Sequence, residues 1–177
     1  LRRQSSAATI GFLWKLPAEG NRPRNLRFAR DYTFRELKAD NAVLLGNTRS
    51  NPWIQAFESR MAVRWQFDQA AGVYYPTDTT TRKSYQTASA GAAHEGYFSV
   101  ALLPNLSATG SVLIVGGTGG SAVNAGANFL EDESAMAELR RRLPGNGRAF
   151  PFFETLVRVW GRSAAPKEDA IVSARVP

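Results

Sequence analysis

Apolar residues in this chain gather in short runs separated by polar, glycine- and proline-rich breaks, and the spacing inside each run predicts its conformation. Over Ser5–Leu16, Ile10, Leu13 and Trp14 recur at helical spacing behind a serine cap, until Pro17 and Gly20 stop the pattern. Asn25–Ala29 places Leu26 and Phe28 on one side and predicts a short strand. A brief helix follows from Thr33 to Lys38. Thr33 and Glu36 have the spacing at which hydroxyl and carboxylate each satisfy the other residue's backbone amide, a capping box.

Ala42–Gly46 is a continuous apolar run of the kind buried on both faces of a parallel sheet. It ends in Gly-Asn-Thr-Arg-Ser. Asn51 then stands where it can cap a helix whose first position is Pro52, a residue that loses nothing by lacking an N–H there; Trp53, Ile54 and Phe57 supply the apolar stripe. Ala62–Phe67 alternates, with Val63, Trp65 and Phe67 opposite Arg64 and Gln66, and with Gly72–Tyr75 it predicts a hairpin turning at 68–71. From Pro76 to Glu95 the chain is polar and small, which predicts a long mobile loop, either a lid or a tolerated insertion.

Gly96–Leu103 resumes as a strand, Pro104–Gly110 turns, and Ser111–Val115 is a second buried strand leading into Gly116-Gly-Thr-Gly-Gly120. Ser121 is placed to cap a helix running to about Leu130, and Ser134 to cap another through Leu143. Phe152–Gly161 and Ala170–Val176 read as closing strands across the loop carrying Pro166. Interleaved strands and helices predict an α/β fold. Its expected form is one domain over 1–177, a three-layer sandwich with a parallel or mixed sheet and a C-terminal β-hairpin.

Composition narrows the chemistry. The 177 residues are 44% hydrophobic and 21% charged, enough for a real core and against a disordered or fibrous chain. No run has the apolar length to cross a bilayer, so we expect a soluble piece. Its first residues, Leu-Arg-Arg-Gln, lead us to expect a fragment of a longer bacterial chain, cytoplasmic or extracytoplasmic. Any membrane attachment would come through a missing upstream segment. The absence of cysteine excludes disulfides, thiolate metal sites and a Cys nucleophile. The one histidine, His94, falls in the expected loop, which argues against a Ser-His-Asp triad or a histidine metal site. We expect no catalytic residue, metal or cofactor. Asn105-Leu-Ser107 matches a glycosylation sequon, a frequent chance match.

The formal charge of +7 favours anionic surroundings. Arg140–Arg142 complement a helix C-terminus, and Glu131, Asp132 and Glu133 a helix start. The early group, Arg22, Arg24, Arg27 and Arg30, lacks the aromatic interleaving of a single-strand binder and any helix-turn-helix or zinc-finger spacing, so nucleic acid is the weaker reading of the charge.

Two strand-to-helix turns are the candidate ligand-facing features. Helix N-termini present unpaired N–H groups and partial positive charge, and glycines let a ligand approach the backbone. The first turn, Gly46, Asn47, Thr48, Arg49, Ser50 and Asn51, adds side chains able to hold an anion or a sugar. The second, Gly117, Thr118, Gly119, Gly120 and Ser121, adds Thr118, Ser121 and Asn124. Neither is a phosphate fingerprint: no Lys-Ser/Thr follows the glycines, and position 122 is Ala where a dinucleotide-binding motif has its third glycine. Parallel pairing of the two strands would bring both turns to one end of the sheet.

Residues 29–67, with Ala-Arg-Asp-Tyr-Thr-Phe-Arg-Glu-Leu-Lys and Leu-Leu-Gly-Asn-Thr-Arg-Ser-Asn-Pro-Trp-Ile-Gln-Ala-Phe-Glu, resemble a module of poorly characterised bacterial proteins, many from acidobacteria. The resemblance continues through residues 100–130, with Val-Leu-Ile-Val-Gly-Gly-Thr-Gly-Gly-Ser-Ala-Val-Asn-Ala-Gly, and into Phe-Phe-Glu-Thr-Leu-Val-Arg-Val near the end. It implies a C-terminal sensory or partner-binding domain, in some relatives behind a winged-helix or membrane-spanning segment, and it transfers no catalytic residue. The expected function is therefore a non-enzymatic ligand- or partner-binding domain, sensory or regulatory, that takes a small anionic or polar ligand or a protein partner. The alternatives are an enzyme acting on a nucleotide or sugar phosphate at the same turns, and a scaffold with an apolar patch around Trp53 and Trp160.

Overall fold

The computed structural model describes Gly11 and residues 25–87, 89–90, 93–145, 150–162 and 165–177. Apart from Gly11, the helix expected over Ser5–Leu16 lies outside them. Its strands are β1 (Ala42–Leu45), β2 (Val63–Asp68), β3 (Val73–Asp78), β4 (Lys83–Ser84), β5 (Ser89–Ala90), β6 (Ala93–Pro104), β7 (Ser111–Gly117), β8 (Phe153–Arg162) and β9 (Ala165–Arg175). The α-helices are α1 (Phe34–Ala39), α2 (Gly120–Glu131) and α3 (Glu133–Arg142), and 3-10 turns cover Ala29–Asp31 and Pro52–Arg60.

Helix and strand combine around one mixed sheet of order β1-β7-β6-β8-β9, with β5 paired to one end of β6. β1 and β7 run parallel, whereas β6–β7, β6–β8 and β8–β9 are antiparallel. A second sheet, β2-β3-β4, is antiparallel throughout. The expected hairpins at 62–75 and at the C-terminus both form, each extended at its far end.

Successive residues of a strand point to opposite faces, and the core divides accordingly. Phe98 and Val100 of β6 pack with Val157 and Val159 of β8 against Ala122, Ala125 and Phe129 of α2 and Leu139 of α3. Ala101 and Leu103, of the other parity, pack with Val112 and Ile114 of β7 against Leu37 of α1 and Ile54 and Phe57 of the 3-10 helix. Tyr97 and Leu156 share that second face and meet Val63 of the small sheet. α2 lies close on its side because its contact residues are small. A Cβ on Gly126 would stand 2.8 Å from Val115 Cγ1 and 3.2 Å from the Phe98 ring.

Several local expectations are corrected. Asn25–Ala29 is not a strand: residues 25–28 are irregular, Ala29 opens a 3-10 turn, and Leu26 and Phe28 are exposed instead of packed on the sheet. β1 is an edge strand, with Leu44 buried and its neighbours half-buried, rather than a strand covered on both faces. The stretch 76–95 is not one open loop, because β3 runs to Asp78, β4 and β5 lie within it, and β6 begins at Ala93. Its threonines are β-branched and suit a sheet with one wet face, and Asp78 Oδ1 accepts from the Thr80 and Thr81 amides to reverse the chain. The His94 backbone accordingly lies in β6, opposite Gly161.

Ser121 does not cap α2. Gly119 occupies that position without a side-chain cap, and Ser121 lies inside the helix. Ser134 does not cap α3 either, since Asp132 accepts from the Ser134 and Ala135 amides. β9 begins at Ala165, so Pro166 sits within it. An edge strand tolerates that residue because one row of its N–H groups needs no partner.

Candidate functional site

The two turns lie side by side. Leu45 pairs with Val115 at the carboxyl ends of parallel β1 and β7, and the Gly46 amide donates to the Val115 carbonyl at 2.9 Å. The helical segment after β1 packs on one face of the sheet, while α2, after β7, packs on the other. In open α/β sheets a ligand usually sits beyond the carboxyl ends of two neighbouring parallel strands whose following helices pack on opposite faces.

Most polar groups of the first turn are already engaged. Asn47, buried, accepts through Oδ1 from the Arg49 amide at 3.1 Å and the Ser50 amide at 3.2 Å. Ser50 Oγ accepts from the Asn47 amide at 3.0 Å, and Asn51 accepts from the Trp53 amide as the cap of the 3-10 helix. Gly46 has φ +104°, and a Cβ there would fall on Ser50 Oγ, so glycine is required for the turn itself. Arg49 projects outward with its guanidinium 5.1 Å from the centre of the Phe67 ring, and Phe67 packs on Tyr74 at 4.8 Å.

The second turn is fixed behind and open in front. The Thr118 amide donates to the Tyr97 carbonyl at 2.9 Å, and Thr118 Oγ1 accepts from the Tyr97 amide at 3.3 Å. Gly117 permits close passage of the chain, since a Cβ would meet Val123 N at 2.9 Å. Gly119, Gly120 and Ser121 are exposed, and nothing stands within 4 Å of a Cβ built on Gly119. The first turn of a twelve-residue helix therefore faces outward with no side-chain cap on its amides.

On the small-sheet side, β2 presents Val63, Trp65 and Phe67 in the order expected from their alternation. Val63 is buried, Trp65 is half-buried over Gly116, and Phe67 lies under Arg49. Thus the structure brings both turns together, leaves Arg49 as the outward cation of the first, and moves the open backbone donors to the second. Trp53 is committed elsewhere, donating through Nε1 to the Ala29 carbonyl at 2.6 Å and packing edge-on to Tyr32.

Two buried carboxylates escaped the sequence reading. Glu154 accepts the Ala62 amide at 2.9 Å and the Val63 amide at 3.0 Å, one on each carboxylate oxygen. Burial pushes its carboxyl above the usual range, against these hydrogen bonds. Asp78, also buried, pairs with Arg175, whose hydrogen bonds hold its carboxyl below the usual range. Glu154 and Arg175 face each other across β8 and β9, so this cluster ties the small sheet to the C-terminal hairpin. Its signal was present: lone charges inside apolar strands, as in Phe-Phe-Glu-Thr-Leu-Val.

Asn105 of the sequon is fully buried, donating to the Ala39 carbonyl at 3.1 Å and accepting from the Thr109 amide at 3.0 Å; it braces the β6–β7 turn against the end of α1. Among the described residues no group of His, Cys, Asp and Glu is gathered to hold a metal, and no helix is long and apolar enough to cross a membrane. No protein-family model, curated protein or solved structure matches the chain.

Proposed function

We propose that this is a non-enzymatic binding domain, the sensory end of a regulator, which takes a small polar or anionic ligand beyond the carboxyl ends of β1 and β7. In this reading α2 and α3 on one face, the mixed sheet, and α1, the 3-10 helix and the small sheet on the other form a three-layer sandwich. The observation that carries it is the parallel pairing of β1 with β7 while their following helices pack on opposite faces. The uncapped first turn of α2 supplies backbone donors and positive potential, and Arg49, exposed and stacked on Phe67, supplies a cation beside the first turn. The resemblance of residues 29–67 and 100–130 to a module of poorly characterised bacterial proteins implies a sensory or partner-binding role as well.

Calorimetric titration with inorganic phosphate, acetate, glucose and glucose phosphate tests the proposal. At least one probe is expected to bind, and Arg49→Ala to weaken an anionic probe several-fold. Silence across all four, or affinity unmoved by both Arg49→Ala and Gly119→Asp, overturns it.

A further inference from the structure

We propose that the surface around residues 26–38, with Leu26, Phe28 and Phe34 beside Arg30, Arg35 and Lys38, docks on an anionic lipid surface; this contact is made by the domain's own residues and is independent of the ligand site above. Two separate observations carry it. Leu26, Phe28 and Phe34 are 58%, 69% and 52% exposed, and they are three of the six large apolar side chains exposed among the described residues. Single exposed apolar residues are ordinary, but several on one short segment mark a contact surface. The charge is gathered at the same end of the chain. Residues 1–30 hold seven of the 22 lysines and arginines and only one of the 15 acids, a net +6 of the chain's +7. Such asymmetry favours a polyanionic partner at that end.

The exposure is built into the fold. Trp53 Nε1 donates to the Ala29 carbonyl at 2.6 Å, Arg27 pairs with Glu36 at 2.5 Å, and the Thr33–Glu36 box starts α1, so the backbone that carries the rings is pinned between them. Each ring bears a cation: the Arg30 guanidinium lies 4.9 Å from the centre of the Phe28 ring, and the Lys38 ammonium 5.7 Å from that of Phe34. This arrangement selects the partner. A nucleic-acid base would stack on a ring face that the cation already takes, and Leu26 has no face to offer. At a lipid surface the rings and Leu26 enter the headgroup boundary while the flexible stems keep the charges at phosphate level. The acids that would repel phosphate are already engaged, Glu36 by Arg27 and Asp40 by the Tyr32 hydroxyl, while Arg30, Arg35 and Lys38 are exposed.

Flotation of the full chain with vesicles of pure phosphatidylcholine, and of phosphatidylcholine mixed with phosphatidylserine, tests the proposal. Binding is expected to the mixed vesicles alone and to weaken as salt is raised. Phe28→Ser with Phe34→Ser should weaken it about tenfold, and Arg35→Gln and Lys38→Gln about fivefold each. All four side chains are exposed, so the amide spectrum should show the fold intact in every variant. A nitroxide-labelled lipid should broaden the amides of 26–38 in wild type. No flotation with phosphatidylserine, or flotation unchanged in the double phenylalanine variant, overturns the proposal. Tighter binding of a single-stranded oligonucleotide through the same amides overturns it in favour of nucleic acid. Cross-relaxation between residues 1–24 and the two phenylalanine rings in the lipid-free chain overturns it in favour of a cover supplied by the chain itself.

Discussion

Gly46 donates its amide to the carbonyl of Val115 one residue beyond the last pair of the parallel β1–β7 ladder, and this bond holds the two turns against each other. It depends on a backbone that turns away at once, with φ +104° at Gly46 and Ser50 Oγ where a side chain would stand. Gly46→Ala is expected to cost about 2 kcal/mol, from left-handed strain together with overpacking. Urea denaturation measures it, and a loss below a few tenths of a kcal/mol would show that the turn relaxes freely.

The pair Asp78–Arg175 joins the small sheet to the last strand with the carboxylate fully buried. Arg175→Leu leaves that charge uncompensated and should cost about 3 kcal/mol. Because the folded-state pKa of Asp78 lies below its unfolded value, its contribution is complete above the ordinary aspartate range and is lost as pH falls through the depressed value. Stability curves in acid should therefore be flatter in Asp78→Asn than in wild type.

Glu154 has the opposite sign. Its folded pKa is raised by burial, so the folded state holds the proton more tightly than the unfolded chain. Stability should fall as pH rises from the ordinary glutamate range through the raised value. Glu154→Gln should remove that slope, whereas Glu154→Ala strands the Ala62 and Val63 amides and should cost about 2 kcal/mol. Denaturation midpoints across pH, with hydrogen exchange at those two amides, check both statements.

Gly119 is extended, at φ −171°, and has open space around it, so Gly119→Asp should cap α2 and raise stability by a few tenths of a kcal/mol. The added carboxylate would occupy the amides offered to an anion. A variant that melts higher while binding phosphate or glucose phosphate more weakly is the expected outcome; higher stability with unchanged affinity would remove the α2 N-terminus from the site.

Elements whose signals are local were legible in the sequence. The Thr33–Glu36 box, the Asn51–Pro52 start, the 68–71 turn and the two strands entering glycine turns all depend on neighbours within a few residues. The caps given to Ser121 and Ser134 failed locally, to Gly119 and Asp132, whereas the rest of what failed depends on distant partners. Leu26 and Phe28 alternate like a strand but pair with none and stay exposed, and the polar 76–84 stretch becomes sheet because β2 and β4 flank β3. At the site, residue types located both turns but not their division of labour. Asn47, Ser50 and Asn51 look like ligand groups until their hydrogen bonds show them bracing the loop, and Trp65 and Ser99 meet Gly116 from strands far away in the chain.

Backbone amide chemical-shift mapping tests the central claim most directly, with glucose phosphate titrated into the uniformly labelled chain. The account predicts shifts concentrated at Gly46–Asn51 and Gly117–Ala122, around the paired carboxyl ends of β1 and β7. Shifts centred elsewhere, as in the groove between α2, α3 and β9 lined by Asn128, Ser134 and Glu138, or no shifts at all, would contradict it.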